Sequence, residues 1–439
     1  MSTSPSTLHG WVDQPNNRGT FGIISSCFLT IFLCTWTSLH LNVPAAKEGT
    51  WRALLRKFRW MVLTILGPEF VGALAAGQRA NAKRTLDTLR GMGYSEWTLR
   101  HSFYANMGGF VLQPRDSTPF PVHGLHLIYL VKEGYLTLPE ITDEEISAKS
   151  KANLLAKVLV CLQTGWFVVQ CFGRVAQNLP LTTLELTTIS YVWCTWAIYA
   201  QWLKKPLDVE VPTVLRIKAS TAEILAKAGP AASQPYRQTP LDFVWDWRNS
   251  WTLNVQPFLH FRVDPRERPM PRILNDSLPW FSSAFDSVVC VFVVVFYGAI
   301  HMFGWNFIFP TRTERILWHI AALVLLCTTT AFCMWEVVWG ISRAAYRLYL
   351  NKKKIRFMSV YYVFANKNEK FFGAAGYPVQ DKIFDDGVIT AGQLIFLVPL
   401  AVLYLLSRLY TIVEPLASLR ALPGGCFQTV DWTKFIPHF

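Results

Sequence analysis

The sequence predicts an all-α fold, a polytopic transmembrane helix bundle with six or seven spans. Of the 439 residues, 51% are hydrophobic and only 16% are charged, whereas soluble globular domains carry about 25% charged residues. Several stretches of about 20 residues are nearly free of charge, which is long enough to cross a hydrocarbon core of roughly 30 Å. Because a segment in that environment must satisfy its own backbone hydrogen bonds, these stretches are expected to be helices.

The apolar stretches divide the chain into alternating membrane and polar segments. The expected spans are Phe21–Leu41, Trp60–Gly77, Val158–Gly173, Leu184–Leu203, Ser287–Gly304, Ile316–Gly340 and Ala391–Val413. The resulting segments are a flexible polar N-terminus (1–20), the first two membrane segments (21–77), a polar segment (78–157), the third and fourth spans (158–203), a basic segment (204–283), the fifth and sixth spans (284–340), a second basic segment (341–390), the last span (391–413) and a tail (414–439).

The second membrane segment begins with an amphipathic helix and contains a helix breaker. Residues 51–59 place four aromatic or leucine side chains on one helical face and four cations on the other, which is typical of a helix at a membrane interface. Further on, Pro68 lacks an N–H and predicts a kink. It is followed by Glu69, a carboxyl near the middle of an apolar stretch. Residues 60–77 therefore either span the membrane or enter it and return.

The distribution of cations predicts which segments face the cytoplasm. The three long polar segments carry 9 to 11 Lys and Arg each, whereas the shorter connections and the C-terminal tail carry one or two each. Since cytoplasmic loops are enriched in Lys and Arg, the long segments should be cytoplasmic and the tail lumenal or extracellular. The N-terminus should be cytoplasmic if residues 60–77 span, and outside if they re-enter. The sequon at Asn275 should then stay unmodified.

The net charge of +13 follows from the same bias, so no nucleic-acid partner is expected. Eight of the nine cysteines fall in apolar stretches and no CxxC pair exists, which indicates neither a disulfide framework nor a zinc ribbon. The sequence assigns no metal ligands and specifies no cofactor.

Several stretches of the chain resemble a widespread family of uncharacterised fungal multi-pass membrane proteins. They are RGTFGIISSCFLTIFLCTWTSLHLNVP (18–44), LQTGWFVVQC (162–171), KPLDV (205–209), GAIHMFGWNFIFPTRTERILW (298–318), SRLYTIVEPLASLRALP (407–423) and DWTKFIPHF (431–439). The resemblance extends from residue 18 to the C-terminus. It implies a multi-pass membrane protein and no particular activity.

Ionisable side chains inside apolar segments are the candidate functional residues, because each is costly there and usually faces an interior or a cavity. The candidate catalytic residues are Glu69, Glu185, His301, Glu314 and His319. Apart from Glu69, these lie at the lumenal helix ends together with Arg408 and Glu414, and Asp286 and Glu336 lie at the cytoplasmic ends. The lumenal set could bind a metal or perform acid–base chemistry; a buried ion-pair network is the simpler interpretation.

Two further groups are weaker candidates. His123 and His126 are three residues apart, but nearby Pro and Gly residues favour a loop and no third metal ligand is close in sequence. Lys352, Lys353 and Lys354 could bind anionic lipid headgroups, or they could simply belong to the cytoplasmic charge bias.

Three functions fit this pattern. The favoured one is a membrane-embedded enzyme that acts on a hydrophobic small molecule, either lipid-like or a secondary metabolite such as a terpenoid or polyketide. A transporter or channel would need a continuous polar path, which a line through Glu69, Asp286 and Glu336 could supply. A structural or signalling protein would use its cytoplasmic segments to bind partners. The lipid bilayer is the expected environment in each case, in the endoplasmic reticulum or the plasma membrane.

Overall fold

The computed structural model describes residues 8–13, 18–150, 154–233, 236, 238–244, 251–252, 268–275, 277–278, 284–350 and 391–432. Most of this part of the chain is helical. The helices are α1 (Thr20–Trp36), α2 (Thr50–Leu66), α3 (Pro68–Gly91), α4 (Leu99–Asn106), α5 (Gly124–Lys132), α6 (Asp143–Ala148), α7 (Leu154–Ala176), α8 (Thr183–Gln201), α9 (Thr221–Ala228), α10 (Ala284–Ile300), α11 (Arg312–Leu350) and α12 (Ala391–Ala417). The strands are β1 (Leu8–His9), β2 (Phe110–Gln113), β3 (Phe120–Val122), β4 (Thr213–Arg216), β5 (Trp251–Thr252), β6 (Ser277–Leu278) and β7 (Leu422–Pro423).

Fewer helices meet the length and apolarity needed to cross a membrane than the six or seven spans predicted. The candidates within the described residues are Lys157–Ala176, Val288–Asn306, Arg312–Met334 and Val398–Arg420, and α2 with α3 makes a fifth if the pair is one span. The shortfall has two causes. Helix α1 has only 17 residues, and α8 carries many Thr, Ser and Tyr residues among its apolar ones.

The predicted kink is a complete break between α2 and α3. Helix α2 ends at Leu66, α3 begins at Pro68, and the two axes differ in direction by 113°. Proline suits the first position of α3 because its missing N–H would have no partner there. Gly67 between them has φ −157° and ψ 76°, outside the helical region. A single Gly-Pro pair thus turns the chain sharply.

The outer parts of α2 and α3 lie beside the same end of α8. On α2, Lys57 forms a 2.9 Å ion pair with Asp208. On α3, Gln78 accepts a 3.1 Å hydrogen bond from the indole of Trp202. These two anchors lie about ten residues either side of Gly67. The α2–α3 segment therefore extends away from this end of α8, turns at Gly67 and comes back.

The polar segments 78–157 and 204–283, predicted without strands, contribute to one small α+β unit. We call the described residues of 85–150 and 209–244 the α+β module. In its sheet, β2 pairs with β3 antiparallel and with β4 in parallel, so a strand from each polar segment meets at β2. Buried residues of both segments form one hydrophobic core. Capping boxes begin α6 at Thr142 and α9 at Ser220.

The first and last described parts of the chain meet at the opposite end of the helices. Strand β1 pairs antiparallel with β7. Nearby, the guanidinium of Arg174, at the end of α7, donates to the main-chain oxygens of Gly425, Cys426 and Gln428. The start of α1, the end of α7, the start of α8 and the end of α12 therefore lie together, away from the α+β module.

Candidate functional site

A buried polar cluster surrounds the break between α2 and α3. In a continuous helix the carbonyls of Ile65 and Leu66 would accept from amides four residues on, but the chain turns before those amides are in place. Side chains of other helices take their place. Ile65 accepts from the Tyr191 hydroxyl at 2.7 Å and from Nη2 of Arg408 at 3.0 Å, and Leu66 lies 3.0 Å from the Tyr404 hydroxyl. Helices α8 and α12 thereby hold the break in place.

Glu69 lies in the first turn of α3 and is fully buried. The Tyr404 hydroxyl donates to its Oε1 at 2.5 Å. Its other oxygen, Oε2, has no hydrogen-bond partner among the described residues. A carboxyl in the first turn of a helix is favoured by the helix dipole, so α3 itself helps to stabilise the group at this buried position.

Arg408 lies on α12 with its guanidinium between two aromatic rings. The guanidinium carbon is 4.9 Å from the Tyr191 ring centre and 5.2 Å from that of Tyr297. The residue is completely buried, and no carboxylate of the described chain lies within ion-pair distance of it. Cation–π contact with two rings compensates part of the desolvation of this cation. Nε and Nη1 have no hydrogen-bond partner in the described part.

His301 extends the cluster toward α11. It begins the short 3-10 helix His301–Asn306 after α10, and its Nδ1 is 3.2 Å from the main-chain oxygen of Tyr297. Its ring centre is 5.4 Å from that of Tyr297 and 6.3 Å from that of Trp318. All three residues are completely buried. Trp318 in turn lies against Gly304, where an added Cβ would be 2.8 Å from the indole nitrogen.

The cluster contains an unusual number of unpaired polar atoms. Within the described residues no partner exists for Oε2 of Glu69, Nε and Nη1 of Arg408, the hydroxyl of Tyr297, Nε2 of His301 and Nε1 of Trp318. Each buried group left unpaired costs about 1–3 kcal/mol, and native structures contain few. Groups of this chemistry, close together in a helix bundle, fit a site for bound water or for a polar group of a ligand.

Glu185, a predicted site residue, lies outside this cluster and has its oxygens occupied. It is the third residue of the α8 capping box, and its Oε2 accepts from both the amide and the hydroxyl of Thr182 at 2.9 Å. Its Oε1 forms a 2.5 Å ion pair with Arg18. These contacts cap the start of α8 and hold Arg18, which precedes α1, against it. They favour a structural role for Glu185.

Glu314 and His319 also lie apart from Glu69. Glu314, in the first turn of α11, pairs with Arg420. Tyr410 lies between the main chain of Glu314 and the carboxylate of Glu414, because its hydroxyl is 3.0 Å from the main-chain oxygen of Glu314 and 3.2 Å from Oε2 of Glu414. His319 stacks on Trp305 with ring centres 3.9 Å apart and contacts the main-chain oxygen of Trp305 at 2.7 Å. The predicted lumenal layer is thus divided into separate groups.

Several candidates fall where the structure describes no side chain. They are Asp286, Glu336, Lys352, Lys353 and Lys354. Within the side chains that are described, no group of three or more His, Cys, Asp or Glu residues could hold a metal ion.

The histidine pair lies in the α+β module and departs from the predicted loop. His123 precedes α5 and His126 lies in its first turn. His126 is buried and His123 is half-buried, and the rings stack with centres 3.6 Å apart. Burial lowers the pKa of His123 to about 3 and lowers the pKa of His126 well below its usual value. The two rings are therefore neutral and serve as core residues.

A buried lysine joins the segment after α1 to α3. Nζ of Lys205 donates to the main-chain oxygen of His40 at 2.5 Å, to Oε1 of Gln78 at 2.7 Å and to Oδ1 of Asn42 at 3.2 Å. It also lies 4.8 Å from the ring centre of Trp202. Burial lowers the pKa of Lys205 to about 7. Its three acceptors occupy its hydrogen-bonding capacity, which favours a structural role.

The sequence indicated Glu69, His301 and Arg408 but not their aromatic partners. Tyr404 and Tyr297 each precede a charged or imidazole residue by four positions, Arg408 and His301 respectively. Residues four apart share a helix face. A search for tyrosines at that spacing from buried ionisable residues would have found both. No sequence spacing connects Tyr191 to the site, because it depends on packing between α8 and α12.

The fold and the cluster define a predominantly helical protein with several helices long and apolar enough to cross a membrane. The chain belongs to a family of unknown function (DUF8562), whose model matches residues 1–228 and 282–439. No curated protein and no solved structure matches it.

Proposed function

We propose that this chain is a membrane-embedded enzyme that acts on a lipid-like or secondary-metabolite substrate, such as a terpenoid or polyketide, at the Glu69–Arg408 cluster. One observation carries the proposal: a carboxyl, a guanidinium, a phenol and an imidazole lie together inside the helices with polar atoms that no described residue pairs. Structural ion pairs normally satisfy the atoms of a buried carboxylate, as they do for both carboxylate oxygens of Glu185. Ionisable groups at buried positions in membrane helices are functional candidates by default.

The proposal includes a topology of six crossings and one re-entrant segment. The crossings would be α1, α7, α8, α10, α11 and α12, and α2 with α3 would enter and leave on the side of the α+β module. The anchoring of both arms beside the same end of α8 supports this arrangement. The meeting of β1 with β7 supports placing both ends of the chain on the other side. The cation bias makes the module side cytoplasmic, in the endoplasmic reticulum or the plasma membrane.

In this proposal the side chains divide the chemistry between them. Tyr404 holds Oε1 of Glu69, which leaves Oε2 free to take or give a proton. Arg408 and the Tyr297 hydroxyl would stabilise negative charge that develops on a substrate oxygen, as preorganised donors do in a site without bulk water. His301, next to Tyr297, offers a second proton-transferring group.

A deletion strain of the source organism tests this function. Metabolites would be profiled separately in cells and in medium, and the strain would be complemented with wild type, Glu69→Gln or Glu223→Gln. The amide oxygen introduced by Glu69→Gln can still accept from Tyr404, so this variant removes the acid–base group with little change of shape. Glu223 is an exposed residue of the α9 capping box, where Gln serves equally well, so it is the matched control.

An enzyme predicts that a compound disappears from both fractions and that a precursor accumulates in cells. Wild type and Glu223→Gln should restore the compound and Glu69→Gln should not. A compound trapped in cells and missing from medium would instead indicate a transporter. An unchanged profile would overturn the proposal in favour of a structural or signalling role. The fungal origin implied by the sequence resemblance stays a prediction.

A further inference from the structure

The unpaired atoms of the cluster favour one kind of ligand group. Most of them are hydrogen-bond donors, namely Nε and Nη1 of Arg408, Nε1 of Trp318 and the Tyr297 hydroxyl, whereas Oε2 of Glu69 accepts. His301 can do either through Nε2. A group that brings only donors, such as an ammonium, would leave these atoms unsatisfied. A group that brings acceptor oxygens would pair with them.

The position of the cluster favours an apolar body attached to that group. Phe70 and Tyr404 form the outer edge of the cluster and are only half buried. Glu69 and Arg408, behind them, are fully buried. The rings of Phe70 and Tyr404 are in edge contact, with centres 5.4 Å apart. Beside Tyr404 on α12, Leu403 and Leu405 are exposed. An acceptor group bound at Arg408 would therefore have an apolar outer surface next to it for a hydrocarbon chain.

We infer that the occupant is a long apolar molecule whose head is an acceptor oxygen, a carboxylate or a carbonyl, held by Arg408 and Tyr297. This inference rests on the proposed function for its site, and it adds the class of molecule. A carboxylate head would pair the guanidinium, for which the described chain supplies no ion pair. A carbonyl head would accept from the same donors, but it is neutral and would compensate less of the guanidinium charge.

Tyr297→Phe is the sharpest test, because it deletes one hydroxyl and keeps the ring against Arg408. That hydroxyl has no described protein partner, so its loss should leave the unfolding temperature of the purified full chain unchanged or raised. The binding of oleate, methyl oleate and oleylamine would be measured on wild type and on this variant in the same detergent. Trp318→Phe, which deletes another unpaired donor, provides a second variant.

We expect oleate or methyl oleate to bind wild type at least about tenfold more tightly than oleylamine, and Tyr297→Phe to weaken that binding about tenfold. Tighter binding of oleate identifies a carboxylate head, and equal binding of methyl oleate identifies a carbonyl. Equal binding of oleylamine, or an unchanged affinity in both variants, would overturn the inference. The expected binding together with an unchanged metabolite profile would keep this inference and reject only the proposed enzyme. A changed metabolite profile without the expected binding would reject only the class of ligand.

Discussion

The hydroxyl of Tyr404 lies 2.5 Å from Oε1 of Glu69 and joins the middle of α12 to the first turn of α3. The two residues are 335 positions apart in the chain, so the contact depends on the whole helix arrangement. It also lies beside Gly67, where an added Cβ would be 3.1 Å from the same hydroxyl oxygen. The turn, the carboxyl and the tyrosine therefore form one unit.

Tyr404→Phe should destabilise the protein. The substitution removes the donor to Glu69 and the contact with the Leu66 carbonyl, and it leaves both acceptors buried. A buried acceptor without its partner costs about 1–3 kcal/mol, so thermal unfolding in detergent should occur at a clearly lower temperature. Tyr297→Phe is the control for losing a buried hydroxyl. Equal unfolding temperatures for the two variants would show that the Tyr404 contact does not support the turn.

Protease protection in sealed microsomes tests the six-crossing topology. Tags at the N-terminus and the C-terminus should be protected together, on the side opposite the α+β module. Asn275 gives a second readout, since it is buried and its Oδ1 accepts from the amide of Asn42 at 2.6 Å. Glycosidase treatment should therefore cause no change in mobility. Protection of only one tag would mean that α2 and α3 together form a crossing.

Local signals in the sequence predicted local features well. Pro68 indicated the break because the chemistry of proline acts within one turn. The sheet of the α+β module was missed because β2 and β4 belong to segments about 100 residues apart, and each strand has only four residues. The candidate site was predicted in part. Ionisable residues stand out in apolar stretches, whereas Tyr191 resembles any other aromatic residue of a membrane helix.

The stacked histidines should make the protein less stable in acid. The pKa of His123 is lowered to about 3 by burial, so between about pH 3 and 6.5 the unfolded chain binds more protons than the folded one. The contribution of the neutral His123 ring to the free energy of unfolding is therefore fully present above pH 6.5 and is lost as the pH falls. The loss is about 2 kcal/mol at pH 5 for His123 alone. His123→Gln should show a smaller difference in unfolding temperature between pH 7.5 and 5. An unchanged difference would contradict burial of the pair.

Lys205→Met should be far more damaging than Lys204→Met. Lys205 is buried and its loss leaves three acceptors without a donor, on His40, Gln78 and Asn42. Each buried acceptor left without its donor costs about 1–3 kcal/mol. Lys204 is exposed, so its substitution should be close to neutral. The yield of monodisperse protein and the unfolding temperature would measure both, and similar values would mean that the lysine does not hold the segment after α1 against α3.

Gly298→Ala should loosen the contact between α10 and α11. An added Cβ would be 3.1 Å from the main-chain Cα of Leu326 and 3.2 Å from Oγ1 of Thr329, and a backbone atom cannot move aside without shifting a helix. Overpacking of this kind costs about 1–3 kcal/mol. Gly165→Ala in α7 is the matched control, because nothing lies within 4 Å of the added Cβ and alanine favours a helix by about 1 kcal/mol. We therefore expect unfolding temperatures to move in opposite directions, and a rise for both variants would contradict the close approach of α10 and α11.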